Sequence, residues 1–178
     1  MRQNVTVTQP GEGSPAGGIP GKGPSRDAIT PRATLRNAPA VGGPPADLPG
    51  TEEEWRQRLA ADRFAVLRDK ATEPPFSGGL LANEAAGTYI CAGCGARLFN
   101  SEDKFDSGTG WPSFTRSVED DAVRNEVDAS AGMVRTEILC ARCGGHLGHV
   151  FDDGPSPGGL RYCVNSLSLD FVARDEPG

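Results

Sequence analysis

The sequence lacks the features that mark membrane and secreted proteins. It has no run of about eighteen apolar residues and none of about seven near Met1, so we expect neither a membrane span nor a secretory signal. Basic residues are not in excess, and a formal net charge of -6 at pH 7 gives no general attraction to nucleic acid or anionic lipid. We expect a reducing, cytoplasmic setting, in which the five cysteines are metal ligands or reactive thiols rather than a disulfide framework.

Residues 1–49 lack aromatic side chains and are rich in residues that disfavour regular structure. They contain nine prolines and eight glycines, a composition typical of disordered segments that cannot build a core. We therefore predict a disordered extension over residues 1–49 and a folded domain over residues 50–178. An organelle transit peptide is an alternative for the extension, although its few Arg, Ser and Thr residues are diluted by Gly and Pro.

The folded domain is predicted to begin with two short helices and to continue as β structure. Thr51 followed by Glu54 forms a capping-box pattern, which satisfies amide donors at a helix start. The near-helical apolar spacing then slips around residues 60–62, and the prolines of TEPPF (residues 72–76) are expected to end the second helix. From Thr88 onward, short apolar runs alternate with Gly, Asp, Ser and Pro clusters, which predicts a mainly β domain.

Four of the cysteines occur in two matched pairs. Cys91 and Cys94 lie in ICAGCG, and Cys140 and Cys143 lie in LCARCGG. Each pair ends an apolar run and turns through glycine, so the four thiolates can converge on one tetrahedral Zn²⁺ ion with no open position. Such a closed site predicts a structural clamp between two β-hairpins rather than a catalyst. Two independent redox pairs, or four buried thiols, are the alternatives.

The fifth cysteine lies in RYCVNSLSLDF, residues 161–171. We read this stretch as one strand, in which Cys163 shares a face with Arg161 and Asn165. Three large apolar residues continue that face: Leu167, Leu169 and Phe171. The cation would favour a thiolate and the amide would offer a hydrogen bond, so Cys163 is a candidate reactive thiol. A small core hydrophobe is the other interpretation of an isolated cysteine on an apolar face.

The two histidines and one tryptophan complete the candidate residues. His146 and His149, the only histidines, lie together in HLGHVF just after the second cysteine pair. They are not needed as zinc ligands, so they are either structural imidazoles or proton-transfer groups. Trp111 lies in KFDSGTGWPSF, where the following proline holds it extended. It is either a core plug or an apolar wall for a ligand.

Together these segments resemble the methionine sulfoxide reductase B family. The resemblance covers about residues 50–178 and rests on CAGCG, KFDSGTGWPSF and RTEILCARCGGHLGHVFDDGPSPGGLRYCVNSLSLDF, with WRQRL and TEPPFSG upstream. It implies two antiparallel sheets in a mainly β domain with short N-terminal helices. It also implies reduction of the R epimer of methionine sulfoxide in oxidised proteins, an activity in which one enzyme class serves each epimer.

The resemblance assigns roles to residues already singled out. Cys163 matches the nucleophile that attacks the sulfoxide sulfur and becomes a sulfenic acid. His149, with His146 beside it, matches the proton donor, and Asn165 matches a residue that helps to hold the site. Trp111 matches the wall for the substrate methyl group. The paired cysteines match the zinc site of many members.

Arg161 is a further candidate on the substrate side, and one position departs from the family pattern. Thr109 occupies the place in which many members carry a resolving cysteine. We therefore expect thioredoxin or another external thiol to reduce the Cys163 sulfenic acid, and a monomer that binds neither nucleic acid nor membranes. A non-catalytic, zinc-stapled β binding module is the rival interpretation, and it gives Cys163 no role.

Overall fold

The computed structural model describes residues 47–174. Residues 1–46 of the predicted extension therefore lie outside the described residues. The helices and strands are α1 (Glu52–Arg58), α2 (Ala61–Leu67), β1 (Gly87–Cys91), β2 (Arg97–Asn100), β3 (Lys104–Phe105), β4 (Ser113–Phe114), β5 (Val123–Asp128), β6 (Arg135–Cys140), β7 (His146–Phe151), β8 (Arg161–Val164) and β9 (Leu169–Ala173). Leu48 is already buried in the core, so the packed part of the chain reaches back beyond the predicted boundary at residue 50.

The two predicted N-terminal helices are present. The Thr51 hydroxyl accepts from the Glu54 amide at 3.2 Å, and the Glu54 carboxylate accepts from the Thr51 amide at 3.0 Å. This reciprocal pair is the predicted capping box. The prediction that the prolines of TEPPF end the second helix is wrong, because α2 ends at Leu67 and the chain turns at Lys70, which has a φ of 58°.

The strands form two antiparallel sheets, as the resemblance implies. The smaller sheet has the order β2-β1-β9, and the larger has the order β3-β4-β8-β7-β6-β5. Aromatic rings join them in the core: Phe114 of β4 stacks on Phe99 of β2 at 4.4 Å between ring centroids, and it meets Tyr89 of β1 edge-on at 5.0 Å. All three side chains are fully buried, so this cluster anchors one sheet to the other.

The stretch RYCVNSLSLDF is not one strand, contrary to the sequence prediction. Strand β8 ends at Val164, a 3₁₀ turn covers Ser166–Ser168, and β9 then joins the other sheet. Leu169 and Phe171 therefore do not continue the face of Cys163. Cys163 therefore lies near the end of β8, just before the chain crosses from the larger sheet to the smaller one.

Candidate functional site

The four paired cysteines lie together at the junction of the two sheets. Cys91 and Cys94 belong to the β1–β2 turn, and Cys140 and Cys143 belong to the β6–β7 turn. Their sulfur atoms all lie within 4.8 Å of one another. Each turn therefore brings its pair from a different sheet, as the clamp prediction requires.

The two cysteine turns have matching backbone geometry. The amide of Gly95 donates to the Cys91 carbonyl, and that of Gly144 donates to the Cys140 carbonyl, both at 2.8 Å. Both glycines adopt positive φ, 73° and 71°, a conformation that side chains with a Cβ disfavour. The glycines noted in the sequence thus form each turn and direct both sulfurs of a pair to one side.

The sulfur geometry fits one tetrahedral metal ion. A tetrahedron with metal–sulfur distances of about 2.3 Å, as for zinc, has sulfur–sulfur edges of about 3.8 Å. The Cys91–Cys143 and Cys94–Cys140 sulfur pairs each lie 3.6 Å apart. Three of the four side chains are buried and Cys143 is partly buried, so all four positions of such an ion would be taken by protein. Four clustered thiols of this kind can hold a metal ion.

A separate cleft contains the fifth cysteine. Cys163 lines it together with His149, Asn165 and Trp111, which brings four of the predicted site residues into one place. Cys163 and His149 are direct cross-strand partners between β8 and β7, so their side chains are neighbours on one face of the sheet. Gly148 makes this pairing possible, since a Cβ there would lie 2.0 Å from the Cys163 carbonyl oxygen.

Burial dominates the electrostatics of Cys163. It raises the pKa of the thiol above its ordinary value, although a hydrogen bond from Thr109 and the charge of Arg161 act in the opposite direction. The expected effect of the cation is therefore present, but it does not prevail. The amide of Asn165 is otherwise engaged: its oxygen accepts from the Glu73 amide at 3.1 Å and its nitrogen donates to the Leu147 carbonyl at 3.0 Å.

His149 is oriented by a carboxylate that the sequence did not reveal. Its Nε2 lies 2.8 Å from Asp128 Oδ2, and Arg135 donates to the same oxygen at 2.9 Å. Hydrogen bonds from Ser130, and then from His149, hold the pKa of Asp128 well below its usual range. An ionised carboxylate only accepts hydrogen bonds, so Nε2 of His149 is the donor. Asp128 thus fixes which ring nitrogen carries the proton in the neutral histidine.

His146 lies behind His149 rather than in the cleft. The two rings are 5.6 Å apart, and His146 Nδ1 lies 2.7 Å from Glu137 Oε1. Burial lowers the pKa of His146 despite this bond, so the ring is neutral near pH 7. Lys70 donates to the other oxygen of Glu137 at 2.7 Å. His146 is therefore a buried member of a Lys70–Glu137–His146 chain.

Trp111 is neither a core plug nor a loose side chain. It is partly buried, lines the cleft, and donates from Nε1 to the Glu73 carbonyl at 3.1 Å. Its loop is fixed by Gly110, whose φ is 92° and at which a Cβ would lie 2.8 Å from Pro75 Cβ. The indole thus forms a wall of the cleft, and its contact with a ligand stays a prediction.

Arg161 is held by an acidic side chain and an aromatic ring. Its guanidinium makes two hydrogen bonds to Asp153, at 2.8 and 2.9 Å, and lies 4.4 Å over the Phe151 ring. The prediction that it contacts substrate stays a prediction. The pairing of Arg161 with Asp153 was not predicted from the sequence.

Thr109 lies beside the candidate nucleophile. Its hydroxyl is 4.0 Å from Cys163 Sγ and 2.8 Å from the Ser107 hydroxyl. The position that carries a second cysteine in many members of the resembled family is therefore adjacent to Cys163 in space. Here it offers a hydroxyl.

Comparison with known proteins agrees with this arrangement. The family model described as the SelR domain matches residues 59–173. A protein of Bradyrhizobium diazoefficiens named peptide methionine sulfoxide reductase MsrB is 60% identical over 119 residues, which cover 67% of this chain and 86% of that protein. The chain belongs to the methionine sulfoxide reductase B family.

Other members of the family are similarly close. The MsrB protein of Leptospira interrogans is 55% identical over 121 residues, 68% of this chain and 92% of its own length. That of Methanosarcina barkeri is 54% identical over 126 residues, 71% of this chain and 89% of its own length. The methionine sulfoxide reductase B family is thus matched over the region that holds both the cysteine cluster and the cleft. Within residues 47–174, no helix is long and apolar enough to cross a membrane.

Proposed function

We propose that this chain is a peptide methionine sulfoxide reductase that reduces the R epimer of methionine sulfoxide in oxidised proteins. The observation that supports this most directly is the cleft, in which Cys163 faces His149 across two strands and Trp111 forms a wall. The names of the relatives point to the same reaction. A non-catalytic binding module would leave this arrangement without a purpose.

The proposed reaction begins with the Cys163 thiolate. Its sulfur bonds to the sulfoxide sulfur while two protons pass to the sulfoxide oxygen, so the sulfur–oxygen bond breaks and the oxygen leaves as water. A water molecule then attacks the Cys163 sulfur and breaks the new sulfur–sulfur bond, which releases reduced methionine, frees one proton and leaves Cys163 oxidised to a sulfenic acid. In this scheme protonated His149 donates from Nδ1, because its Nε2–H is already directed at Asp128. The adjacent carboxylate of Asp128 keeps the ring in this orientation.

The wall formed by Trp111 accounts for selection between epimers. A sulfur–aromatic contact contributes about 0.3–1.5 kcal/mol, and a methyl group packed on the indole fixes the side of the sulfur that faces Cys163. Only one epimer then directs its oxygen toward His149. The other places the oxygen away from the proton donor, so its sulfur–oxygen bond is not protonated.

Four protein thiolates also support a zinc ion as the resident metal of the cluster. Cys91, Cys94, Cys140 and Cys143 would hold it with no coordination position open to substrate. Zinc bound there would be structural and would link the two cysteine turns. It would also keep four thiols out of redox chemistry.

We further propose that an external thiol, thioredoxin or a small molecule, reduces the sulfenic acid directly. Two thiols are consumed: the first forms a mixed disulfide with Cys163 and releases water, and the second releases the thiolate. Thr109 cannot replace the first thiol. This scheme requires a reducing compartment, for which we propose the cytoplasm. A disulfide between Cys163 and another cysteine of the chain, detected by mass spectrometry after one turnover, would contradict it.

The function is tested with a peptide that contains both sulfoxide epimers and with dithiothreitol as the reductant. The wild-type protein should consume half of the sulfoxide and stop, leaving the S epimer. Cys163→Ser should consume none, while its thermal unfolding stays like that of the wild type. If neither protein consumes sulfoxide, the binding-module interpretation replaces the proposal.

A further inference from the structure

Glu73 does not line the cleft, but it contacts two residues that do. Its backbone amide donates to Asn165 Oδ1 at 3.1 Å, and its carbonyl accepts from Trp111 Nε1 at 3.1 Å. One residue therefore contacts side chains from two distant parts of the sequence, each of which faces the cleft. The position of Glu73 therefore affects the placement of Asn165 and of Trp111.

The carboxylate of Glu73 fixes that position. It is 4% exposed and accepts from the backbone amides of Ser166 and Leu167 at 2.7 and 3.0 Å. These amides open the 3₁₀ turn that directly follows Asn165. Within residues 47–174 no basic side chain forms an ion pair with Glu73, so the hydrogen bonds to these amides compensate for burying the charge.

The neighbouring chain reinforces the same link. The amide of Phe76 donates to the Gly110 carbonyl at 2.8 Å, one residue before Trp111. The segment around Glu73 is thus joined to the tryptophan loop at two points and to the Asn165 turn at three. A shift of the carboxylate would therefore move both Trp111 and Asn165.

We propose that Glu73 is a positioning residue, which sets the placement of Trp111 and Asn165 for the reaction through its carboxylate anchor on the Ser166–Leu167 amides. This inference rests on the proposed function. Glu73 touches neither the reacting sulfur nor the cleft, so it acts through the two residues that it holds. A role in folding alone is the alternative, and the two differ in what a conservative change does to kinetics.

The first test is Glu73→Gln, with Asp103→Asn as the matched control. Asp103 is another buried acid, which accepts from Arg116 at 2.7 Å on the 3₁₀ turn before β3. In Glu73→Gln an amide NH₂ group faces one of the two backbone donors, so the anchor is half lost. Because misplacement on the order of an ångström costs up to about a hundredfold in rate, we expect kcat/KM to fall roughly tenfold or more. KM should rise and kcat should fall together.

The same variant should leave the nucleophile itself intact. Iodoacetamide should alkylate Cys163 of Glu73→Gln at the wild-type rate, since Glu73 does not contact that thiol. Asp103→Asn should keep both its turnover and its alkylation rate, whatever its thermal stability. Wild-type kcat and KM in Glu73→Gln would overturn the inference, and so would equal losses of turnover and alkylation, which indicate general collapse of the cleft.

A second pair of variants moves the carboxylate without removing it. A Cβ at Gly78 would lie 2.1 Å from Ser166 Oγ and 2.7 Å from Glu73 Oε1, whereas one at Gly79 meets nothing within 4 Å. Gly78→Ala should therefore reproduce the KM and kcat changes, and Gly79→Ala should not. Equal kinetics in the two would overturn the inference even if Glu73→Gln failed to fold. An inactive wild type would instead defeat the proposed function.

Discussion

The cysteine cluster and the Cys163 cleft place the same functional group in opposite settings. In the cluster, the nearest partner of each sulfur is another sulfur at 3.6 Å, and the thiols come from both sheets. Cys163 lies on one sheet and is partly buried, and the Thr109 hydroxyl lies 4.0 Å from its sulfur. The fold thus separates thiols that can share a metal from a thiol that lines a cleft. Substitutions that disturb one of these regions and not the other test this division.

The largest expected effect comes from breaking the cluster. Structural zinc contributes on the order of 10–16 kcal/mol in small domains, whereas a whole domain is stable by about 5–15 kcal/mol. Cys140→Ala should therefore lose its metal and unfold, as judged by zinc content and circular dichroism. Cys163→Ala, the matched control, should bind one zinc per chain and stay folded. A stably folded Cys140→Ala protein without metal would show that the cluster is not a clamp.

A smaller effect is expected from the partner of His149. Asp128→Asn removes the carboxylate charge that orients the His149 ring, at 2.8 Å from Nε2. A hydrogen bond to a charged group contributes roughly 1.5–3 kcal/mol, so kcat should fall about ten- to a hundredfold in single-turnover measurements. His149→Gln should cost more, about 10²–10⁴-fold. In His149→Gln, adding Asp128→Asn should cost little further, because the two residues act as one unit.

The features of the two regions that could be predicted from the sequence are those formed by local motifs. Each cysteine pair with its glycine forms a turn from neighbouring residues alone, so the pairs were recognisable, and so was the capping box at Thr51. That the pairs meet was an inference from the ligand preferences of metals. Asp128 reaches His149 only because β5, β6 and β7 are adjacent in the sheet, and no local pattern contains that adjacency.

The misread strand shows the same limit more sharply. Alternation along RYCVNSLSLDF is consistent with one continuous strand, yet the chain turns at Ser166–Ser168. The Glu73 carboxylate, 93 residues earlier in the sequence, stabilises that turn by accepting a hydrogen bond from the amide of Ser166. The sequence analysis gave Glu73 no role of its own, although TEPPF was used for its prolines and TEPPFSG for the family resemblance. An acidic residue ahead of two prolines does not by itself indicate burial, and its hydrogen-bond partners lie more than 90 residues further along the chain.

The smallest effect concerns the protonation of Cys163, and it distinguishes the two regions within one protein. Burial raises the pKa of this thiol, so its thiolate forms at higher pH than in an ordinary cysteine, whose pKa is about 8.5. The iodoacetamide rate at Cys163 should rise with pH through a midpoint above that value, followed by mass spectrometry of the zinc-loaded protein. Arg161→Gln should move the midpoint higher, because the charge of Arg161 lowers the pKa of Cys163.

The cluster cysteines should stay unmodified by iodoacetamide across the same pH range, since metal-bound thiolates are shielded. A midpoint below the ordinary value would mean that the cation outweighs burial, and modification of the cluster at the same rate would mean that the fold does not separate the two kinds of thiol.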